Sequence, residues 1–224
     1  MSLIHAQNIH KEFSLGGHTT HVLNGIDLQV EQGEFVAIMG RSGAGKSTLL
    51  YQLSALDLPS QGIVSIDGVN ILKFSEDELV DFRLYTLGYV FQDYALIADL
   101  DVRENVVLPL LMRGMDWNSA RSIADATIDR VGLNDLYNRL PTQLSGGEQQ
   151  RVSIARAVAG KPKILFADEP TANLDSTSGK NVIALLNELH KEGQTIVMVT
   201  HEKEYTQNCD RVITIEDGKV VVSP

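Results

Sequence analysis

Residues 34–50 read EFVAIMGRSGAGKSTLL, and this stretch decides the fold. The apolar run FVAIM is typical of a strand that is buried on both faces of a sheet. It is followed by Gly40, four intervening residues, Gly45, Lys46 and Ser47, and then by an apolar helix start. Glycines let backbone N–H groups converge on phosphate oxygens, and the positive end of the next helix strengthens that attraction. The stretch therefore predicts a phosphate-binding loop between a buried strand and a helix.

The loop assigns roles to single side chains. We expect Lys46 to reach the terminal phosphates of a nucleotide and the Ser47 hydroxyl to hold Mg²⁺. A chance glycine-rich turn is the alternative, but it would not explain the strand before the loop and the helix after it. The predicted nucleotide-contacting residues of the loop are Gly40, Arg41, Ser42, Gly43, Ala44, Gly45, Lys46, Ser47 and Thr48.

The charge balance limits the partners. The 224 residues include 19 Lys and Arg against 29 Asp and Glu, which gives a formal net charge of −10. Nucleic-acid binding needs a basic face, so we expect no nucleic-acid partner, whereas a nucleotide needs only one local positive site. The sequence shows neither an apolar run of roughly 18 residues nor a basic-then-apolar leader, and this predicts a soluble, cytoplasmic protein.

Apolar patterning predicts one α/β domain. The first ninety residues are interpreted mostly as strands and turns, and strand signals return at 164–168, 195–199 and 211–215. A helix predicted at 177–192 precedes the second of these. Alternation of strands and helices favours a mainly parallel sheet that helices cover. We expect the core to comprise 1–92 and 159–224, and 93–158 to form an inserted helical subdomain.

Capping signals locate the helices of that insertion. Asp101 with Glu104 three residues later is an N-capping pattern for a helix over 101–112. Asn118 is expected to cap a second helix that runs through Val131, and a third helix is expected to start near Gly146.

Polar residues follow three further predicted strands. In KILFADEP, Asp168 is expected to hold Mg²⁺ through its water shell, and Glu169 to orient or deprotonate an attacking water. Gln92 closes LGYVFQ, and its amide can reach a metal-bound water or the nucleophile; His201 follows TIVMVT and can donate to the γ-phosphate. Taken alone, each is also explained as a polar residue where a strand meets solvent. The other five histidines show no metal-ligand spacing.

These motifs, in this order, resemble those of the ATP-binding-cassette (ABC) ATPases over essentially the whole chain. The resemblance rests on GRSGAGKST (40–48), FQ (91–92), LSGGEQQRVSIARA (144–157), ILFADEP (164–170), NLD (173–175) and His201. The segments ADEPTANLDS and ENVVLPLLMRG are similar to the branch of lipoprotein-release, macrolide-export and cell-division ATPases. The resemblance implies a P-loop NTPase core with a mixed, mainly parallel sheet, an antiparallel N-terminal β region and an inserted helical subdomain.

The resemblance also implies a homodimer that hydrolyses Mg·ATP. Two subunits would stack head to tail, so that LSGGE of each chain faces the γ-phosphate held by the other, with Asp175 in the loop along that interface. Lys46, Glu169 and His201 would be catalytic; Ser47, Gln92 and Asp168 would hold the metal. Phe13 would stack on adenine and Val22 would back the ribose. The residues expected to complete the other chain's site are Ser145, Gly146, Gly147 and Glu148.

In such ATPases the insertion contacts a membrane subunit. We therefore expect a permease-type partner to dock near 93–117 and the protein to lie on the inner face of the cytoplasmic membrane. Residues 93–106 lack the Leu-Pro and Thr common in this branch, which puts the usual partner in doubt. The alternatives are an ATP-dependent clamp that regulates a membrane protein, a soluble ABC ATPase of DNA repair or translation, and another P-loop enzyme such as a kinase or GTPase.

Overall fold

Two sheets and six α-helices account for most of residues 2–222, the part of the chain that the computed structural model describes. The strands are β1 (Ser2–Leu15), β2 (His18–Glu31), β3 (Phe35–Met39), β4 (Gln61–Ile66), β5 (Val69–Asn70), β6 (Leu87–Val90), β7 (Ile164–Asp168), β8 (Thr195–Val199), β9 (Arg211–Glu216) and β10 (Lys219–Val222). The helices are α1 (Lys46–Leu53), α2 (Glu76–Thr86), α3 (Val102–Met112), α4 (Trp117–Arg130), α5 (Gly146–Val158) and α6 (Ser176–Lys191).

The larger sheet has six strands in the order β10-β9-β3-β8-β7-β6. Its strands are parallel except for β10, which pairs antiparallel with β9. Every residue of β7 and β8 is buried, as expected for apolar strands that are covered on both faces. The predicted mixed, mainly parallel sheet is therefore confirmed.

The smaller sheet is antiparallel, and its strands have the order β2-β1-β4-β5. This sheet is the antiparallel N-terminal β region that the family resemblance predicted. One hydrophobic core lies between the two sheets and around α1, and it takes Val36 and Ile38 from β3. The neighbouring residues Phe35 and Ala37 point to the opposite face and join a second core with α3, α4, α5 and α6. The central sheet is thus covered on both faces, and its strand ends stay free for a site.

The expectation of mostly strands and turns in the first ninety residues is wrong for residues 71–86. They form a 3-10 turn (Ile71–Lys73) and α2. Helix α2 buries only Leu79, so it shows no apolar stripe in the sequence. Its start is set by a capping box, in which the Ser75 hydroxyl and backbone N–H both donate to Glu78.

The predicted cap at Asn118 is also wrong. Helix α4 begins at Trp117, because the Asp116 carboxylate accepts hydrogen bonds from the backbone N–H groups of Asn118 and Ser119, each at 3.1 Å. The chain is already helical when it reaches Asn118. Helix α6 likewise begins at Ser176, one residue earlier than expected, with Asp175 as its cap.

The other two helix starts of the insertion agree with the prediction. Asp101 and Glu104 form a capping box at α3, and α5 starts at Gly146. The subdomain boundaries at 93 and 158 stay a prediction, since α3, α4 and α5 share one hydrophobic core with α6 and the central sheet. Within residues 2–222, none of the helices has both the length and the apolar character that a membrane crossing requires.

Candidate active site

A cavity of about 600 Å³ opens at the carboxyl edge of the central sheet. Four parallel strands end there: Gly40 follows β3, Gln92 lies just after β6, Glu169 follows β7 and His201 lies just after β8. Open parallel sheets bind ligands at this edge. The residues that line the cavity are Val22, Ser42, Gly43, Gly45, Lys46, Ser47, Thr48, Gln92, Glu169 and His201, all of which the sequence predicted.

The backbone geometry explains why glycines occur within residues 40–48. A Cβ atom at Gly40 would lie 2.3 Å from the carbonyl oxygen of Ile215, so only glycine lets this loop pass β9. Gly45 has φ +96° and caps α1, and Gly43 has φ +81°, a region that residues with a Cβ rarely adopt. The loop therefore delivers the N-terminus of α1 directly to the cavity, where free N–H groups attract anions.

A cation, a carboxylate and an imidazole converge in this cavity. The Lys46 ammonium, only 6% exposed, lies 3.6 Å from Glu169 Oε1 and donates to the Arg41 carbonyl at 3.2 Å. The other Glu169 oxygen, Oε2, lies 2.7 Å from His201 Nδ1. Glu169 itself has φ +43°, an uncommon conformation for a residue with a Cβ, and its N–H donates to Val199. Backbone and side-chain contacts together aim its carboxylate at the cavity.

A second carboxylate lies deeper. The Ser47 hydroxyl donates to Asp168 Oδ1 at 2.8 Å, and Asp168 is 4% exposed. Burial raises the pKa of Asp168, because the charged form is desolvated. Tyr51 also interacts with this carboxylate, and burial together with Asp168 raises the pKa of the Tyr51 hydroxyl. The sequence analysis missed Tyr51, although its position four residues after Ser47 places both on one face of α1.

The donor set suits a hard divalent cation. Ser47 and Asp168 supply oxygen atoms, and the Gln92 amide lines the same cavity. Within the described chain, no three His, Cys, Asp or Glu side chains come together as a metal site. A magnesium ion here would complete its coordination with phosphate and water oxygens, as Mg²⁺ does at nucleotide sites.

Phe13 lies outside this cavity. It is on β1, opposite Thr20 of β2, and it remains 49% exposed. Val22, further along the same hairpin, lines the cavity, and its carbonyl oxygen packs against Gly45. The hairpin thus extends from the wall of the phosphate site outward to the predicted adenine-stacking residue.

The LSGGE residues form a separate feature, since none of them lines the cavity. Ser145 caps α5, and its N–H and hydroxyl both donate to Glu148 Oε2, at 2.7 and 2.8 Å. These hydrogen bonds lower the pKa of Glu148. A Cβ on Gly146 would lie 2.9 Å from the Tyr94 hydroxyl, and one on Gly147 would lie 2.9 Å from the Ser178 side chain. The helix start is closely packed on its own chain.

Asp175 lies next to this feature. Its carboxylate caps α6, accepting from the Thr177 and Ser178 N–H groups, and it also accepts from the Ser178 hydroxyl at 2.6 Å. Ser178 thereby connects the cap of α6 to Gly147 on α5. The two helix starts form one surface.

A glycine-rich loop between a buried strand and a helix, with a lysine and two carboxylates at the sheet edge, defines a P-loop nucleotide-binding domain. The family model described as ABC transporter matches residues 23–172. The chain therefore belongs to the ABC transporter family, and it is an ATPase domain of that family.

Individual relatives agree with this assignment. The chain is 47% identical over 219 residues to an uncharacterized ABC transporter ATP-binding protein of Methanocaldococcus jannaschii, MJ1508, and the match covers 98% of each chain. It is 43% identical to the macrolide export ATP-binding/permease protein MacB of Aggregatibacter actinomycetemcomitans, but it spans only 34% of that protein's length.

Solved structures share the fold. The dimeric structure of the ATP-binding cassette MJ0796 in a post-hydrolysis state, bound to ADP and Pi, is 38% identical. It superposes with a TM-score of 0.92, and the match covers 99% of this chain and 97% of that chain. CbiO1 of Clostridium perfringens, part of an ABC transporter complex, is 30% identical with a TM-score of 0.87; the match covers 99% of this chain and 88% of that chain.

Proposed function

We propose that this domain hydrolyses Mg·ATP between two head-to-tail copies and thereby drives a membrane-embedded transport partner. The observation that carries the proposal is the convergence of Lys46, Glu169 and His201 at the mouth of the glycine-rich loop. Family membership supports it, as does the similar MJ0796 cassette, which was captured as a dimer with ADP and Pi.

Binding of the triphosphate falls to the loop and to α1. The N–H groups of 40–48 and the Lys46 ammonium neutralise phosphate oxygens, at a helix end that carries roughly half a positive charge. Ser47, Asp168 and Gln92 would hold Mg²⁺, which supplies charge neutralisation at the phosphates when bound. The buried Asp168 carboxylate is suited to this role, because a neighbouring cation would favour its charged form.

The chemical step falls to Glu169. Its carboxylate takes a proton from the water that attacks the terminal phosphate, and His201 donates to the phosphate oxygens that gain charge. Lys46 and His201 both contact Glu169. Phosphate would draw Lys46 and His201 towards itself and release the Glu169 carboxylate for the water.

We propose that the second half of each site comes from the other copy. Ser145, Gly146, Gly147 and Glu148 lie outside their own chain's cavity, yet they form a capped helix start, which is a good anion site once an anion arrives. Asp175 is next to them through Ser178 and would line the same interface. The similar MJ0796 cassette is dimeric in its solved structures, which supports a site that two copies share.

We assign the nucleoside to the hairpin. Phe13 would stack on adenine and Val22 would back the ribose, since Val22 already lines the cavity and Phe13 follows on the same hairpin with an exposed ring.

We propose that the helical subdomain, 93–158, receives a permease-type subunit near 93–117, and that the domain acts on the inner face of the cytoplasmic membrane. The MacB relatives, named ATP-binding/permease proteins, support a membrane partner.

Steady-state phosphate release tests the proposal. The purified protein is expected to hydrolyse ATP in the presence of Mg²⁺, and Lys46→Ala is expected to abolish turnover. Lys163→Ala, which removes an exposed lysine far from the cavity, serves as the matched control and should leave the rate unchanged. Magnesium-dependent hydrolysis that survives Lys46→Ala would overturn the assignment.

Co-purification tests the membrane partner. The full-length protein should pellet with native membranes and release an integral membrane protein on detergent solubilisation. Surface substitutions within 93–117 should abolish that association while ATP turnover in solution continues. A protein that stays in the supernatant after membrane separation contradicts the membrane assignment.

A further inference from the structure

The Lys11 side chain links the outer part of the β1–β2 hairpin to the segment that follows the P-loop helix. Strand β1 pairs with β4 as far as His10, opposite Gln61, and beyond that point it pairs only with β2. Lys11 is the next residue. Its ammonium lies 2.8 Å from Asp57 Oδ1 and 2.7 Å from Asp57 Oδ2, and it donates to the Leu58 carbonyl at 2.8 Å.

The anchor that receives Lys11 is itself fixed. The Gln52 side chain, which belongs to α1 and is fully buried, donates to Asp57 Oδ2 at 3.0 Å. The Leu58 N–H donates to Asp57 Oδ1 at 2.8 Å. Burial opposes the charge on Asp57, but the hydrogen bonds from Lys11 and Gln52 prevail and lower its pKa. The Lys11 side chain is 12% exposed and that of Asp57 is 38% exposed, so solvent reaches the ion pair mainly from the Asp57 side.

Lys11 also contacts Phe13. Its ammonium lies over the ring of Phe13, 5.2 Å from the ring centroid, which is within the range of a favourable cation–π interaction. About half of Phe13 remains exposed. The ring is therefore held from the protein side and stays available to a ligand on the other side.

We propose that Lys11 is a positioning residue for the nucleobase: its ion pair with Asp57 and its contact with Phe13 set the distance between the aromatic platform and the phosphate loop. Helix α1 connects the two ends, because it carries Lys46 at its start and Gln52 in its last turn, about 9 Å further along the axis. This inference rests on the proposed function, which places adenine on Phe13.

A comparison of the affinities for ATP and for inorganic tripolyphosphate separates the contribution of the nucleobase from that of the phosphates. Lys11→Met removes the ammonium and keeps the apolar stem. We expect the Kd for ATP to rise roughly fivefold to tenfold, the Kd for tripolyphosphate to stay unchanged, and kcat at saturating ATP to stay unchanged while KM rises. Lys11→Arg should restore most of the ATP affinity. Lys163→Met, which breaks an exposed ion pair elsewhere, is the matched control and should affect neither ligand.

A double-mutant cycle shows whether Lys11 acts through Phe13. Phe13→Ala should weaken the binding of ATP and leave the binding of tripolyphosphate unchanged. In the Phe13→Ala background, Lys11→Met should cause no further loss of ATP affinity. Asp57→Asn removes the charge that holds Lys11 and should cause the same loss of ATP affinity as Lys11→Met. If one of these two variants folds poorly, the other still tests the ion pair.

The outcomes separate two failures. The positioning role is overturned if Lys11→Met weakens the binding of ATP and tripolyphosphate equally, or changes neither affinity. It is also overturned if Lys11→Met causes its full loss of ATP affinity in the Phe13→Ala background. A wild-type protein that does not hydrolyse ATP overturns the proposed function instead. If Phe13→Ala binds ATP with normal affinity, Phe13 does not stack on adenine, and this inference fails with that role. The proposed roles of Lys46 and Glu169 are unaffected by that result.

Discussion

Glu169 is the residue on which the proposed chemistry depends. Its two oxygens face different partners, Lys46 at 3.6 Å and His201 at 2.7 Å. Its φ of +43° is of the kind that costs on the order of 1–3 kcal/mol and persists only where the surrounding structure enforces it. Here the turn is enforced by hydrogen bonds from the Glu169 N–H to Val199 and from the Ala172 N–H to Glu169. This conformation directs the side chain at the nucleotide cavity.

Glu169→Gln should therefore stop turnover without preventing binding. The amide keeps the shape but cannot accept the proton of water, so we expect kcat to fall by a factor of about 10²–10⁴. The Kd for ATP should change little, because Lys46 and the loop remain intact. Phosphate release and equilibrium nucleotide binding measure the two effects. Glu188→Gln, on the exposed face of α6, is the control, and a Glu169→Gln variant as active as this control removes Glu169 from its role.

At the residue scale, the sequence predicted which residues lie together where a motif fixes the spacing, while their roles stay predictions. Lys46, Ser47, Glu169 and His201 were all predicted, and all line or adjoin one cavity. Tyr51 and Lys11 were not predicted: the spacing of Tyr51 from Ser47 indicates a shared helix face but not a contact with Asp168, and no local pattern indicates the partner of Lys11. Tyr51 reaches Asp168 only across the fold, and the Lys11–Asp57 pair joins residues 46 positions apart. Such contacts become visible only once the chain is folded.

Two helix starts with the same capping geometry provide a natural comparison at the element scale. Ser145 and Glu148 at α5 form the same reciprocal hydrogen bonds as Ser75 and Glu78 at α2, with matching distances of 2.7 and 2.8 Å. Only the first pair belongs to LSGGE. Any difference between their variants therefore reports function and not helix capping.

Ser145→Ala and Ser75→Ala should each destabilise the fold by about 1 kcal/mol, the usual loss at an N-cap. Only Ser145→Ala should also abolish ATP-driven dimerisation and reduce hydrolysis. Thermal unfolding without nucleotide gives the first quantity, and light scattering with Mg·ATP gives the second. If the two variants behave alike in both measurements, LSGGE is no more than a well-capped helix.

The glycines of LSGGE are a weaker test. A Cβ on Gly147 would meet the Ser178 side chain of α6, and one on Gly146 would meet Tyr94, each at 2.9 Å. An alanine at either position disturbs the packing of its own chain. Loss of activity in such variants would not distinguish a missing contact to the other copy from a shifted helix.

Helices and strands could be predicted only where the sequence contains a recognisable apolar or capping pattern. Strands β3, β7 and β8 are apolar and fully or almost fully buried, so their composition revealed them. Helix α2 was missed because it buries only Leu79, and its SEDE capping pattern was the one available signal. At α4, Asp116 and Asn118 are both good capping residues, and the structure uses the first.

At the scale of the whole molecule, the proposed reaction centre has two parts, and the central sheet carries one of them. The P-loop cavity is built by its strand ends, whereas the LSGGE surface lies elsewhere on the same chain, around the starts of α5 and α6. In the proposed head-to-tail dimer, each surface would meet the cavity of the other copy. Nucleotide would then form part of the interface between them.

The Glu169→Gln protein should accordingly be monomeric without nucleotide and dimeric with Mg·ATP. Bound triphosphate supplies the anion that the LSGGE helix start requires, and without the general base it is not consumed. Sedimentation or light scattering measures the mass, with Lys46→Ala as the control that cannot form the dimer. A Glu169→Gln protein that stays monomeric at saturating Mg·ATP contradicts the shared site.

Mixing two impaired variants shows whether each reaction centre draws on both copies. Lys46→Ala and Ser145→Ala proteins are mixed, and phosphate release is compared with that of each alone. A mixed dimer has one intact site, since Lys46 comes from one copy and Ser145 from the other, so the account predicts activity above either variant alone. A mixture no more active than the mean of its components, with mixed dimers shown to form, would contradict it.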